Sequence, residues 1–167
     1  MILCRRILSL AALLLAAVAS ASENAQPIQV EADQLTVEES SGVSVYSGNV
    51  RVSQGPLHLI ADEVRIYSTG DAVTRIVASV QGEDRLARYE QLPGDDRMHV
   101  EGEAREIVYH LQEERLEFNG SAMLSQADET TGSGEKGEYD AAAGRVNATS
   151  GADGRVKTTI RQAGQED

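Results

Sequence analysis

An all-β fold of antiparallel strands, built from a strand unit used repeatedly, is what this 167-residue chain predicts. Three observations carry that expectation. Apolar residues recur with period two through most of the chain beyond residue 26. Fifteen Gly against three Pro, with many Val and Thr, suit strands and tight turns better than a helical bundle. Two stretches 72 residues apart read almost alike. The length gives room for one domain or a small duplicated one.

The alternation runs in order along the chain. Ile28, Val30 and Ala32 alternate with Gln29 and Glu31, and Val43/Val45, Val50/Val52, Leu57/Leu59 and Val64/Ile66 repeat the rhythm. Ile107, Tyr109 and Leu111, then Leu116/Phe118 and Ala122/Leu124, carry it through the second half. Successive side chains of a strand point to opposite faces, so each segment has one apolar and one wetted face. Gly and polar clusters interrupt these runs about every 8–12 residues, the spacing of strands in an all-β protein. No stretch beyond residue 22 keeps a 3.6-residue period. The charged stretch from Gln81 to Arg97, with Pro93-Gly94 and Asp95-Asp96, is expected to be a long surface loop or irregular hairpin.

Self-similarity orders these strands. Tyr46-Ser47-Gly48-Asn49-Val50-Arg51-Val52-Ser53-Gln54 aligns with Phe118-Asn119-Gly120-Ser121-Ala122-Met123-Leu124-Ser125-Gln126. A small-charged-x-apolar pattern opens four further segments, at Ala32-Asp33, Ala61-Asp62, Ala104-Arg105 and, degraded, Gly134-Glu135. The chain therefore reads as two tandem halves whose stacked units bury a continuous core only against their neighbours.

The amino end is an address. Arg5 and Arg6 precede the apolar run Ile7 to Val18, and Ala19-Ser20-Ala21 has the A-x-A form of a cleavage site. The run is too short to span a bilayer, which takes about 20 helical residues. Residues 1–21 are expected to leave as a signal peptide. Residues 22–160 then form the folded domain, and 161–167 a polar tail. Cys4 lies before the apolar run and leaves with it, so the mature chain holds no cysteine. The expected compartment is the periplasm.

Charge and motif spacing exclude several classes of chemistry. A net charge of −12 disfavours a nucleic-acid partner, whose phosphates need clustered Lys and Arg. Gly132-Ser133-Gly134-Glu135-Lys136-Gly137 matches GxGxxG, but no helix follows and two Glu would repel a pyrophosphate, so it is expected to be a turn. His58, His99 and His110 lack metal-ligand spacing and read as surface histidines. Glu38-Glu39, Asp95-Asp96 and Glu113-Glu114 are adjacent pairs, which in a strand face opposite ways, and they read as turns rather than paired acid–base groups. Neither an enzyme, a cofactor nor a metal site is expected.

Two features remain to carry function. Val50, Val52, Leu59, Ile66 and Phe118 are the inward members of their strands. With few aromatics to fill the space, two such faces enclose either a site for an apolar ligand or an ordinary packed sandwich core. The first and last strands, Ile28–Ala32 and Arg155–Ile160, fall at opposite ends of the stack, with only Pro27 and Lys157 to block edge pairing.

These units resemble the OstA-type lipopolysaccharide transport family. The resemblance lies in Gln26-Pro27-Ile28-Gln29-Val30-Glu31-Ala32-Asp33-Gln34 and Gly48-Asn49-Val50-Arg51-Val52-Ser53-Gln54-Gly55, then Ala61-Asp62-Glu63-Val64, Val100-Glu101-Gly102 and Tyr109. It implies a twisted antiparallel β-jellyroll, open along one side, whose apolar interior shelters the acyl chains of lipopolysaccharide. It also implies a non-enzymatic bridge between inner and outer membranes. In that bridge an LptC-like inner-membrane jellyroll meets the N-terminal edge, an LptD-like outer-membrane jellyroll meets the C-terminal edge, and copies join head to tail. By position it adds Ile28, Val30, Tyr89, Tyr109 and Leu111 to the lipid-facing residues. The alternatives are a structural β-solenoid with a filled core and no ligand, and a sugar-active enzyme using one of the acidic pairs.

Overall fold

The computed structural model describes residues 26–82, 84–93, 99–126, 130–152 and 154–160. The signal peptide and the polar tail lie outside them, as does the Asp95-Asp96 pair. Twelve strands occur among the described residues, and none of these residues is helical. In the first half the strands are β1 (Gln29–Glu31), β2 (Gln34–Glu38), β3 (Val43–Gln54), β4 (Leu57–Thr69), β5 (Ala72–Ser79) and β6 (Ala87–Gln91). In the second half they are β7 (Val100–Ala104), β8 (Glu106–His110), β9 (Arg115–Gln126), β10 (Thr130–Asp140), β11 (Arg145–Thr149) and β12 (Lys157–Ile160). Every pairing is antiparallel.

Four long strands, β3, β4, β9 and β10, each serve two layers. The first layer runs β1, the end of β3, the start of β4, β6, β7, the end of β9, the start of β10, and β12. The second runs β2, the start of β3, the end of β4, β5, β8, the start of β9, the end of β10, and β11. This is the twisted antiparallel jellyroll. Among the described residues every crossing between layers lies along one side, and hairpin turns line the other. That second side is open.

The bends explain the repeated motif. A residue pair with positive φ kinks a strand and throws its register, as at a β-bulge. Gly48 and Asn49 have φ +82° and +47°, and Gly120 and Ser121 have +78° and +54°. The β3–β4 register shifts at the first pair. The β10 strand shifts between Gly134 and Lys136. The small-charged-x-apolar motifs mark the same corner: Asp33 separates β1 from β2, and Arg105 separates β7 from β8.

Two sequence expectations are corrected. Within Gln81–Arg97, Ala87–Gln91 is strand β6, and Ala87 and Tyr89 are buried in the core. Its Arg88 and Glu90 face outward, so this charged piece is strand and not loop, and as one arm of the β6–β7 pair it fits the other expected form, an irregular hairpin. Gly132–Gly137 is no turn but lies within β10. Two of its three glycines are there because neighbours take the space: a Cβ on Gly137 would come 2.2 Å from Leu124 Cδ1, and one on Gly134 2.5 Å from the Thr149 carbonyl oxygen.

Candidate functional site: the apolar inner surface

The two layers turn their apolar faces to each other. Val50, Val52, Leu59, Ala87, Tyr89, Val100 and Leu124 come from the first layer, and Val64, Ile66, Ile76, Ile107, Leu116, Phe118 and Tyr139 from the second. Three of the chain's six aromatics gather at one level of this interior. Tyr89 meets Phe118 edge-on with centroids 6.0 Å apart, and Tyr139 lies 6.4 Å from Tyr89. Gly102, opposite Tyr89 in the β6–β7 register, makes the room: a Cβ there would stand 2.2 Å from Phe118 Cε1. The middle of the interior is thereby filled. One polar pair is buried within it, where the Tyr89 hydroxyl donates to Gln91 Oε1 at 2.7 Å.

The apolar surface comes out to solvent in three places. At the N-terminal end, Ile28 and Val30 are half-buried, and Leu35 and Val37 are each 55% exposed. At the opposite end, Val156 is 40% and Ile160 71% exposed. Along the open side, half-buried Leu57, Val73, Tyr109, Leu111 and Ala141 pack against the core without being covered by it. An apolar interior continuous with three uncovered margins is unlike the closed core of a sandwich.

Of the ten residues expected to face lipid, Val50, Val52, Leu59, Ile66, Tyr89 and Phe118 are in the buried core. Ile28 and Val30 stand at one mouth, and Tyr109 and Leu111 on the open side. The structure brings all ten onto one inner surface. Leu35, Val37, Leu57, Val156 and Ile160 belong to that surface too. Leu35 and Val37 were signalled by alternation with Gln34, Thr36 and Glu38.

Among the described residues no charged side chain is buried, and the ion pairs lie on the outer faces. Arg88 Nε pairs with Glu103 at 3.0 Å, Arg85 with Asp62 at 2.7 Å and Arg65 with Glu63 at 2.5 Å. Arg115 lies among Glu113, Glu117 and Glu138. Its guanidinium is held above the usual arginine value first by the hydrogen bond to Glu113 and then by that to Glu117.

The sequence match decides the family. Residues 29–145 match the model of the LptA/(LptD N-terminal domain) LPS transport proteins. The chain belongs to this family. Family members similar to it include the lipopolysaccharide export system protein LptH of Pseudomonas aeruginosa, 33% identical over 132 residues, which are 79% of this chain and 73% of that protein. LptA of Escherichia coli K12 is 30% identical over 152 residues, 91% of this chain and 80% of the relative. The crystal structure of the P. aeruginosa LptH superposes with a TM-score of 0.72 at 27% identity, covering 82% of this chain and 96% of that one. LptH is described there as the LptA-homologous periplasmic component of the conserved lipopolysaccharide transport device.

Proposed function

We propose that this chain is a non-enzymatic periplasmic carrier that shelters lipopolysaccharide acyl chains between its two layers and helps bridge the inner and outer membranes. The observation that carries the reading is the apolar inner surface, which reaches solvent at both ends and along the open side. Each CH₂ kept from water is worth about 0.8 kcal/mol, so exposing a chain of about twelve carbons would cost on the order of 10 kcal/mol. A lining made mainly of apolar side chains lets such a chain move between sites of nearly equal energy. The phosphorylated sugars stay outside, where the acidic outer faces meet water and cations.

Because Phe118, Tyr89 and Tyr139 close the middle, acyl chains enter by parting the layers from the open side. Tyr109 and Leu111 are touched first there, and Ile28 and Val30 at the N-terminal mouth. Val50, Val52, Leu59, Ile66, Tyr89 and Phe118 become lipid contacts once the layers separate. The uncovered strand edges serve assembly. In this reading β1 and β2 meet the LptC-like inner-membrane jellyroll, β11 and β12 meet the LptD-like outer-membrane jellyroll, and copies stack head to tail through the same edges. The signal peptide at 1–21 delivers the chain.

The filled centre is the one observation that favours the other reading, a structural β-module with no ligand. Photocrosslinking groups placed singly at Tyr109, Ile28 and the outward Arg51 separate the two in cells. Labelling of lipopolysaccharide from Tyr109 and Ile28 but not from Arg51 is expected. No labelling from the first two, in a strain where the protein is folded and exported, overturns the carrier reading.

A further inference from the structure

We propose that Glu90, His99 and Glu101 form a binding site for a divalent transition-metal ion of the zinc class on the outer face of the first layer. The β6–β7 register sets Glu90 directly opposite Glu101. Two carboxylates facing each other across a strand pair repel, and such pairs destabilise a sheet unless a positive charge lies between them. In the next row outward Arg88 already neutralises Glu103, at 3.0 Å. Beside Glu90 and Glu101 stands His99, just ahead of β7. Its Nε2 lies 3.5 Å from Glu90 Oε1 and 3.7 Å from Glu101 Oε1.

Those separations are longer than a direct hydrogen bond, and they also match two donors sharing one ion. An N–H···O bond spans about 2.7–3.2 Å. Two donors on one tetrahedral ion, each at about 2.0–2.1 Å, stand about 3.4 Å apart. The three ligand atoms already lie within 4.8 Å of one another, so small side-chain rotations complete the site. Both glutamates stand on paired strands with side chains 45% exposed, and the His99 side chain is 24% exposed. His58 lies opposite Glu90 in the β4–β6 register but is not one of the three residues whose ligand atoms converge. A groove of about 270 Å³, lined among others by His58, Glu90, Glu101 and Ser125, leaves space for water as an additional ligand.

The donor set selects the ion. Calcium and magnesium take oxygen ligands throughout, whereas an imidazole nitrogen with two carboxylates suits zinc and its neighbours. Bound there, the ion ties β6 to β7 on the solvent side of the wall whose inner side carries Tyr89 and Gly102. Sequence spacing hid the site because Glu90 and His99 are brought together only by the β6–β7 pairing.

The test uses the purified protein without a polyhistidine tag, stripped with a chelator and titrated with zinc against a chromogenic chelator. Expected is one ion per chain with a Kd of about 10 μM or below. His99→Gln and Glu101→Gln should each weaken it by about tenfold or more. His110→Gln, which removes the remote histidine at 3.1 Å from Glu117, should leave it unchanged. Cobalt substituted for zinc should show visible absorption that His99→Gln removes. The proposal is overturned by no stoichiometric binding, by binding that survives both His99→Gln and Glu101→Gln, or by magnesium competing equally with zinc. Circular dichroism of the metal-free variants checks that each is folded; should His99→Gln fail to fold, Glu101→Gln carries the test alone.

Discussion

Gly48 and Gly120 hold the same position in the two halves of the molecule. Each has left-handed φ, +82° and +78°, and each carbonyl accepts a backbone N–H from the corner residue beside it. Asp33 N donates to Gly48 O at 3.0 Å, and Arg105 N donates to Gly120 O at 2.9 Å. The internal repeat is thus a repeated corner, the device that folds one sheet into two facing layers.

The two corners differ in how tightly they are closed, which predicts unequal costs. A Cβ on Gly48 would stand 2.4 Å from Asp33 Oδ2 and 2.8 Å from Asp33 Cβ, while Asp33 also holds Asn49 Nδ2 at 2.9 Å. At Gly120 the nearest atom, Arg105 Cβ, is 3.2 Å away. Both Gly→Ala changes carry the left-handed penalty of about 1–2 kcal/mol. Gly48→Ala should cost more than Gly120→Ala, because it also breaks the Asp33–Asn49 contact. Urea unfolding midpoints of the two variants measure the order, and equal midpoints would contradict it.

Gly102→Ala should destabilise by overpacking, by about 1–3 kcal/mol, since the new methyl would meet the Phe118 ring at 2.2 Å. Phe118→Leu alone also destabilises, by loss of buried ring contacts. Combined, the two should be less harmful than their sum, because the smaller side chain vacates the space the methyl needs. A double-mutant cycle in urea gives the coupling, and simple additivity would show that the two positions do not share one space.

How much of this was legible in the sequence follows from the same residues. Alternation gave the inward positions because period two is a local property, and Tyr46–Gln54 against Phe118–Gln126 gave the two tandem halves; that the shared glycine bends each strand shows only in the backbone angles. The β6 strand was hidden: its outward Arg88 and Glu90 make the stretch read as solvated, and its single aromatic, Tyr89, gains meaning only opposite Gly102. The GxGxxG stretch misled for a related reason. Glycines in β10 serve neighbours, Leu124 and Thr149, that sequence spacing does not reveal. The filled centre was also unreadable from composition, since few aromatics suffice when Tyr89, Phe118 and Tyr139 meet at one level.

Arg115 should contribute no pH dependence over the range in which the fold is handled. A group whose folded pKa is raised gives stability that is complete below its unfolded value and lost only as pH rises through the folded one. For Arg115, raised by Glu113 and then Glu117, that window lies above an already very high value. Melting temperatures of the parent and of Arg115→Gln should therefore run parallel between about pH 8 and 9.5, above the range in which the imidazole class changes charge. A gap that closes on going alkaline within that interval would contradict it.

The uncovered ends should govern self-association without governing folding. Ile160 is 71% exposed on β12, and Leu35 is 55% exposed on β2, so neither contributes much to the core of a single molecule. In a head-to-tail contact both become buried, and an unpaired carboxylate placed there costs several kcal/mol unless it ionises less readily or stays wet. Leu35→Asp and Ile160→Asp should each reduce concentration-dependent oligomers in sedimentation velocity, while the unfolding free energy of the dilute protein in urea changes by less than about 0.5 kcal/mol. Mixing the two variants sharpens the test. Each keeps one intact end, so together they can form a single junction but no chain, and the mixture should stop at dimers. Long oligomers from either variant alone would place the contact elsewhere on the molecule.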